Sequence, residues 1–213
     1  MQISKLVLGD YENNSYIVRK ENSANCLIID TGLDSNPLIQ YIKEKKLNPA
    51  ALVLTHGHVD HIAGVEILRK NFENIKIYIH KCDAPMLGEP VKNFSTILGL
   101  KVQTSPADVL LANEGSTDFQ GFVFEVIHTP GHTPGGICLY NKDDNVLFTG
   151  DTLFAGSVGR TDFPGYETHK CMQQLIENIK KKLLVLPDDI IVNPGHGPSS
   201  TIKNEKMHNP YLK

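Results

Sequence analysis

The chain has 213 residues, 40% hydrophobic and 21% charged, ordinary globular usage that excludes disordered, collagen-like and coiled-coil architectures. This length is read as one globular domain over residues 1–213, large enough to bury roughly 70% of its unfolded surface. A formal charge of −3 supplies too little positive field to hold nucleic acid by phosphate neutralisation, so no nucleic-acid partner is expected.

The N-terminal stretch MQISKLVLGDYENN places Lys5 inside an apolar patch and has no small-residue cleavage site; it reads as a first strand and not as an export signal. Strand-like runs follow at 15–19 (SYIVR) and 26–30 (CLIID), separated by Gly, Asp and Asn turns, which makes an antiparallel start. Pro37 sits where a first helical residue would, and Leu38, Ile39 and Ile42 then line one face up to Lys46. ALVLT (51–55) is a strand, Ile62, Val65 and Leu68 recur at helical spacing, and KIYIH (76–80) is another strand. Residues 81–106, with three prolines and two glycines, read as irregular.

The second half repeats the plan. DVLLA (108–112), FVFEVI (122–127), GICLY (136–140), VLFTG (146–150) and IIV (190–192) alternate with turns, and Met172, Leu175, Ile176, Ile179 and Leu183 mark one face of a helix. Two such halves predict two packed sheets with helices covering their outer faces. No run reaches the roughly 18–20 apolar residues of a membrane span, so no membrane partner is expected. Cys26, Cys82, Cys138 and Cys171 show no CxxC spacing and read as reduced thiols of a cytoplasmic protein.

Four of these strands run directly into potential metal ligands: ALVLT into HGHVDH (56–61), FVFEVI into HTPGH (128–132), VLFTG into Asp151, and IIV into NPGH (193–196). Side chains just past strand ends converge on one edge of a sandwich, where imidazoles and carboxylates need a divalent cation to neutralise them and use their lone pairs. Five of the nine histidines lie at such ends together with two aspartates, too many for chance placement. His56 and His58 alternate in an extended turn and grip one ion with His132. Asp60 and His61 begin the next helix, point to a neighbouring position and join His196 on a second ion. Asp151, with two oxygens, bridges ions about 3.5–4 Å apart. The other histidines lack this support: His80 reads as a rim residue, His128 as core or as an orienting partner of a ligand, and His169 and His208 as solvated.

HGHVDH, GH at 131–132, GD at 150–151 and GH at 195–196 resemble the ordered motifs of the metallo-β-lactamase fold superfamily. The resemblance implies an α/β (α+β) fold, a four-layer αββα sandwich with a two-metal site on its edge. Many metallo-β-lactamases carry a cysteine ligand, and none precedes a motif here. GDTLFAGSVGRTDFPG (150–165) and the tail GHGPSSTIKNEKMHNPYL resemble the short, single-domain hydroxyacylglutathione hydrolases, the type II glyoxalases, which cleave the thioester S-D-lactoylglutathione. Two departures matter: 17 residues follow His196, so no separate C-terminal glutathione-binding domain is expected, and Gly197-Pro198 stands where longer members carry an aromatic residue.

The resemblance implies a binuclear hydrolase of a small-molecule thioester, such as a glutathione conjugate. The nucleophile would be a metal-bound hydroxide, with Asp60 and Asp151 as the catalytic carboxylates. Arg160 would meet a substrate carboxylate, or else pair with Asp162. The cofactors are two divalent transition-metal ions, zinc foremost, with iron and manganese as alternatives. GRTDF (159–163) also resembles persulfide dioxygenases, which hold one iron through residues matching His56, His132 and Asp151. That is the alternative activity, and a non-catalytic metal-binding protein is a third reading.

Overall fold

The computed structural model describes all residues, 1–213, and its packing divides into two compact units, residues 1–112 with 118–122 and residues 113–117 with 123–213. The N-terminal unit is built on a six-stranded sheet in the order β1-β2-β3-β4-β5-β6. Its strands are β1 (Gln2–Leu8), β2 (Asn13–Arg19), β3 (Asn25–Ile29), β4 (Asn48–Val53), β5 (Lys76–His80) and β6 (Val109–Leu111). The first three form the expected antiparallel meander, with Ile17 opposite Ile28. From β3 onward the pairing is parallel, with Ile28 opposite Leu52 and Leu52 opposite Ile77. The change follows from the connections: helices α1 (Asn36–Glu44), α2 (Val59–Ile62) and α3 (Val65–Asn71) lie between successive parallel strands, as parallel pairing requires. Pro37 sits in the first turn of α1 and Leu38, Ile39 and Ile42 are its buried face. They join Val65 and Leu68 of α3 and the apolar side chains of β3, β4 and β5 in one core.

The C-terminal unit carries a second six-stranded sheet, ordered β14-β13-β10-β9-β8-β7. Its strands are β7 (Gly115–Asp118), β8 (Val123–His128), β9 (Ile137–Asn141), β10 (Val146–Gly150), β13 (Ile191–Pro194) and β14 (Ser200–Thr201); β11 (Leu153–Phe154) and β12 (Ser157–Val158) form a separate hairpin. Helix α5 (Thr168–Asn178) continues into a π-turn over Ile179–Leu183. Leu175, Ile179 and Leu183 are fully buried and pack with Cys138, Leu147 and Val192, while Met172 and Ile176 lie partly buried beside them. The apolar face read from the sequence is therefore the one that packs, although the helix changes pitch after Asn178.

Three stretches differ from their sequence reading. The irregular segment contains α4 (Ala84–Gly88) and a 3-10 turn over Ser95–Leu98, both too short for periodicity to reveal. Gly115–Asp118 is a strand although it has no apolar alternation. The tail folds into α6 (Ile202–His208) and a 3-10 turn over Pro210–Leu212. Thr201 caps α6 by accepting from the Asn204 N–H at 3.1 Å. The fully buried Glu205 carboxylate accepts from Gly156 N–H (2.9 Å), Asn209 Nδ2 (2.8 Å), Asn204 Nδ2 (3.0 Å) and the Ser200 hydroxyl. The last residues are thereby tied to the loop that follows β11.

Candidate metal centre

In the N-terminal unit the chain leaves β4, passes through Thr55 and turns through HGHVDH into α2. The turn is tight: a Cβ on Gly57 would lie 2.6 Å from Met86 Cβ, and the Gly57 N–H donates to the buried Asp83 carboxylate at 3.0 Å. His56, His58 and His61 are all buried, with the His56 ring 4.7 Å from that of His58 and 4.0 Å from that of His61. His56 Nε2 and His58 Nδ1 stand 3.2 Å apart. Two ring nitrogens so placed share a proton or an ion, and the separation is close to the roughly 3.3 Å edge of a tetrahedron with metal–nitrogen bonds of about 2.0–2.1 Å. Asp60 Oδ2 lies 3.7 Å from His61 Nε2.

Asp30 orients these rings, and the sequence reading missed it. It is buried in a left-handed backbone conformation (φ 57°) just past the end of β3. Its Oδ1 accepts from the Thr55 N–H (2.7 Å); its Oδ2 accepts from the Thr55 hydroxyl (2.7 Å) and from His61 Nδ1 (2.9 Å). The Thr55 oxygen in turn accepts from His56 Nδ1 at 3.1 Å. With both Nδ1 atoms donating, the Nε2 atoms of His56 and His61 carry the lone pairs, the tautomer of a metal-ligating imidazole held by an outer carboxylate. The signal for Asp30 was present: CLIID is a fifth strand ending in a potential ligand type.

In the C-terminal unit three residues from separate loops meet at one oxygen. Asp151 Oδ2 lies 3.5 Å from His132 Nε2 and 3.6 Å from His196 Nε2. His132 Nδ1 donates to the Arg160 carbonyl at 2.8 Å, which again leaves Nε2 as the lone-pair nitrogen. This contact needs Gly159, where any Cβ would run into the Asp151 carbonyl oxygen. Asp151 and His196 are brought together by β10 and β13, paired in parallel, with Gly150 opposite Pro194 and the Gly195 N–H donating to Gly150 O at 2.8 Å. Phe163 sets its edge against the His132 ring (5.3 Å), and Phe154 flanks His196 (6.3 Å). Imidazoles gathered on carboxylates, three of them (His56, His61 and His132) with the tautomer set by a hydrogen bond at Nδ1, are the donor chemistry of a divalent transition metal, so the residues present fit such an ion.

Other residues take different places. Arg160 contributes its carbonyl, while its guanidinium forms a two-point pair with Asp162 (2.7 and 3.1 Å) and stacks on Phe163. Asp162 raises the Arg160 pKa further, and Arg160 holds the Asp162 carboxyl below its ordinary range. His80 is buried at the end of β5 and not on a rim, and its Nδ1 accepts from the Cys82 N–H at 3.3 Å. His128 Nε2 donates to Pro134 O (2.9 Å) and lines a groove of about 500 Å³ with Tyr166, Lys170 and Cys171. His169 and His208 are exposed, as expected. Phe94 was also missed: it adopts a left-handed conformation (φ 63°) with its ring 5.2 Å from His58. Such a backbone costs an aromatic residue about 1–3 kcal/mol.

Residues 8–196 match the family model of the metallo-beta-lactamase superfamily. The chain belongs to this superfamily. Hydroxyacylglutathione hydrolase GloC of Haemophilus influenzae is 38% identical to it over 216 residues, covering 100% of this chain and 98% of that protein. Among solved structures, the BLEG-1 B3 metallo-beta-lactamase is 40% identical with a TM-score of 0.93, each chain covered completely. TTHA1623, solved in a di-iron-bound form, is 34% identical with a TM-score of 0.84, covering 98% of this chain and 100% of that one. The mixed α/β, two-sheet metallo-β-lactamase fold expected from the motifs is thus the fold of this chain, and the superfamily is one of metallo-hydrolases with His/Asp metal sites. No helix is long and apolar enough to cross a membrane.

Proposed function

We propose that the chain is a binuclear metallohydrolase of thioesters, with S-lactoylglutathione or a related conjugate as substrate. His56, His58 and His132 would hold one ion and Asp60, His61 and His196 the other, with Asp151 shared between them; each set has the donor types to hold an ion. The observation that carries the binuclear reading is the single Asp151 oxygen flanked by two imidazole nitrogens at 3.5 and 3.6 Å. Whole-length similarity to a hydroxyacylglutathione hydrolase supports the thioester class. When bound, the two ions supply a water activated at neutral pH and polarisation of the substrate carbonyl.

The protein's own groups do the rest. Asp30 keeps His56 and His61 in the tautomer that presents Nε2, directly and through Thr55. The Arg160 carbonyl does the same for His132. Asp60 would serve mainly as a ligand, and its second oxygen would accept a hydrogen bond from the attacking water and orient it. The departing thiolate needs no strong acid, since a thiol pKa is only about 8.5. A substrate carboxylate would replace Asp162 on the Arg160 guanidinium.

The test is anaerobic release of free thiol from S-lactoylglutathione, paired with metal analysis. About two transition ions per chain and turnover without oxygen are expected. Oxygen-dependent consumption of glutathione persulfide by a one-iron protein would replace the proposal with the dioxygenase. The likeness to BLEG-1 supports a second reading, hydrolysis of a β-lactam amide by the same site. A cephalosporin turned over faster than every thioester would favour it.

A further inference from the structure

Seven non-glycine residues have positive φ, and Phe94 is the only aromatic among them. Asn and Asp tolerate this region because their short polar side chains bond locally; Phe94 has no such aid, so its neighbours must impose the conformation. Asn93, fully buried, donates from Nδ2 to Met86 O (2.8 Å) and Val102 O (2.9 Å), and its Oδ1 accepts from the Ser95 N–H (3.0 Å). The Asn93 carbonyl accepts from the N–H of Val59, the residue after His58, at 3.0 Å. The Ser95 hydroxyl accepts from the Val102 N–H (3.1 Å). The backbone is therefore clamped on both sides of Phe94, and the result is a half-buried ring set against His58, tilted by 56°. Around it, the same short segment exposes Val91, Ile97 and Leu100.

Backbone strain maintained beside a ligand points to a use for the side chain that requires it. We propose that Phe94 is a specificity-determining residue, the apolar wall against which the acyl group of the substrate packs, so that the preferred substrate is a thioester with an aliphatic or aryl acyl chain. This rests on the thioester reading. The acyl group is assigned because the segment that carries Phe94 also exposes Val91, Ile97 and Leu100, an apolar surface that matches a hydrocarbon acyl chain and not a charged, polar thiol carrier such as glutathione. Burying a few methylenes against such a wall is worth about tenfold in selectivity.

The test uses the metal-loaded full chain and one carrier, comparing kcat/KM for the acetyl, lactoyl, hexanoyl and benzoyl thioesters of glutathione. Binding of the non-hydrolysable thioethers S-methylglutathione and S-hexylglutathione is measured by calorimetry. The wild type should prefer hexanoyl over lactoyl, and S-hexyl over S-methyl, by about tenfold. Phe94→Asn, which keeps the left-handed backbone, should abolish both preferences. Phe94→Leu, which keeps an apolar but smaller wall, should retain them and favour longer chains, and it reads out the proposal even if the Asn variant folds poorly. Hydrolysis with no acyl preference, or a loss in Phe94→Asn of equal size for every acyl group, would overturn the wall. No hydrolysis of any thioester, with the S-hexyl preference intact and dependent on Phe94, would defeat the thioester reading and leave the wall standing.

Discussion

The two units assemble their donors in opposite ways. In the N-terminal unit one six-residue turn supplies His56, His58, Asp60 and His61, and the rings touch one another as a consequence of chain continuity. Their orientation comes from a buried acid, Asp30, at the end of a neighbouring strand. In the C-terminal unit His132, Asp151 and His196 come from three separate loops, and what unites them is strand pairing and main-chain carbonyls. A contiguous motif needs only its side chains held at the correct tautomer. A dispersed one needs the whole sheet in register.

The sharpest way to break this comparison is Asp151→Ala. If one carboxylate serves both ions, the variant should lose both and fall by roughly 10³-fold or more in kcat, beyond the 10²–10³ of a single oxyanion donor. His58→Ala should retain one ion and lose less; equal metal loss in the two variants would remove the shared role. Next comes Glu205→Ala, which tests dependence of the C-terminal unit on its distant tail. It strands the buried Asn209 amide and three partly buried donors, at about 3 kcal/mol in total, and should lower the melting temperature by about 6–12 °C for a chain of this size. A shift under about 2 °C would show that the tail is not an anchor.

Asp30→Asn probes the opposite case, loss of orientation with every ligand present. Metal affinity should weaken by about 10–100-fold with little change in melting temperature of the metal-free protein, checked by competition with a chelating dye. An affinity within twofold of wild type would show that the contiguous turn orients itself. The smallest effect belongs to Arg160→Ala. Because its exposed guanidinium is already held by Asp162, and exposed pairs contribute little, kcat/KM for carboxylate-bearing thioesters should fall by only about two- to fivefold. Asp162→Ala should raise it. A tenfold loss shared by neutral thioesters would show that the Arg160 side chain supports the loop whose carbonyl meets His132.

How much could be read without coordinates follows the same divide. HGHVDH announces its chemistry in six letters, and the late donors are legible because each follows an apolar strand. Asp30 was within reach of the same rule, as a further strand-end acid. Phe94, Gly159 and Glu205 were not, since backbone handedness, a forbidden Cβ and the burial of a carboxylate by a short tail leave no periodic trace. Arg160 shows the limit most plainly: its loop position suggested a substrate contact, while the structure gives its side chain to Asp162 and its carbonyl to His132. The sequence by itself determined the two-sheet α/β plan, ten of the strands and the donor types, because hydrophobic period and residue chemistry are local properties; the order of strands within each sheet came from the fold. Only the tertiary structure decided which nitrogen of His56, His61 and His132 carries the lone pair, since a tautomer is set by the hydrogen-bond partner that folding brings to the other nitrogen.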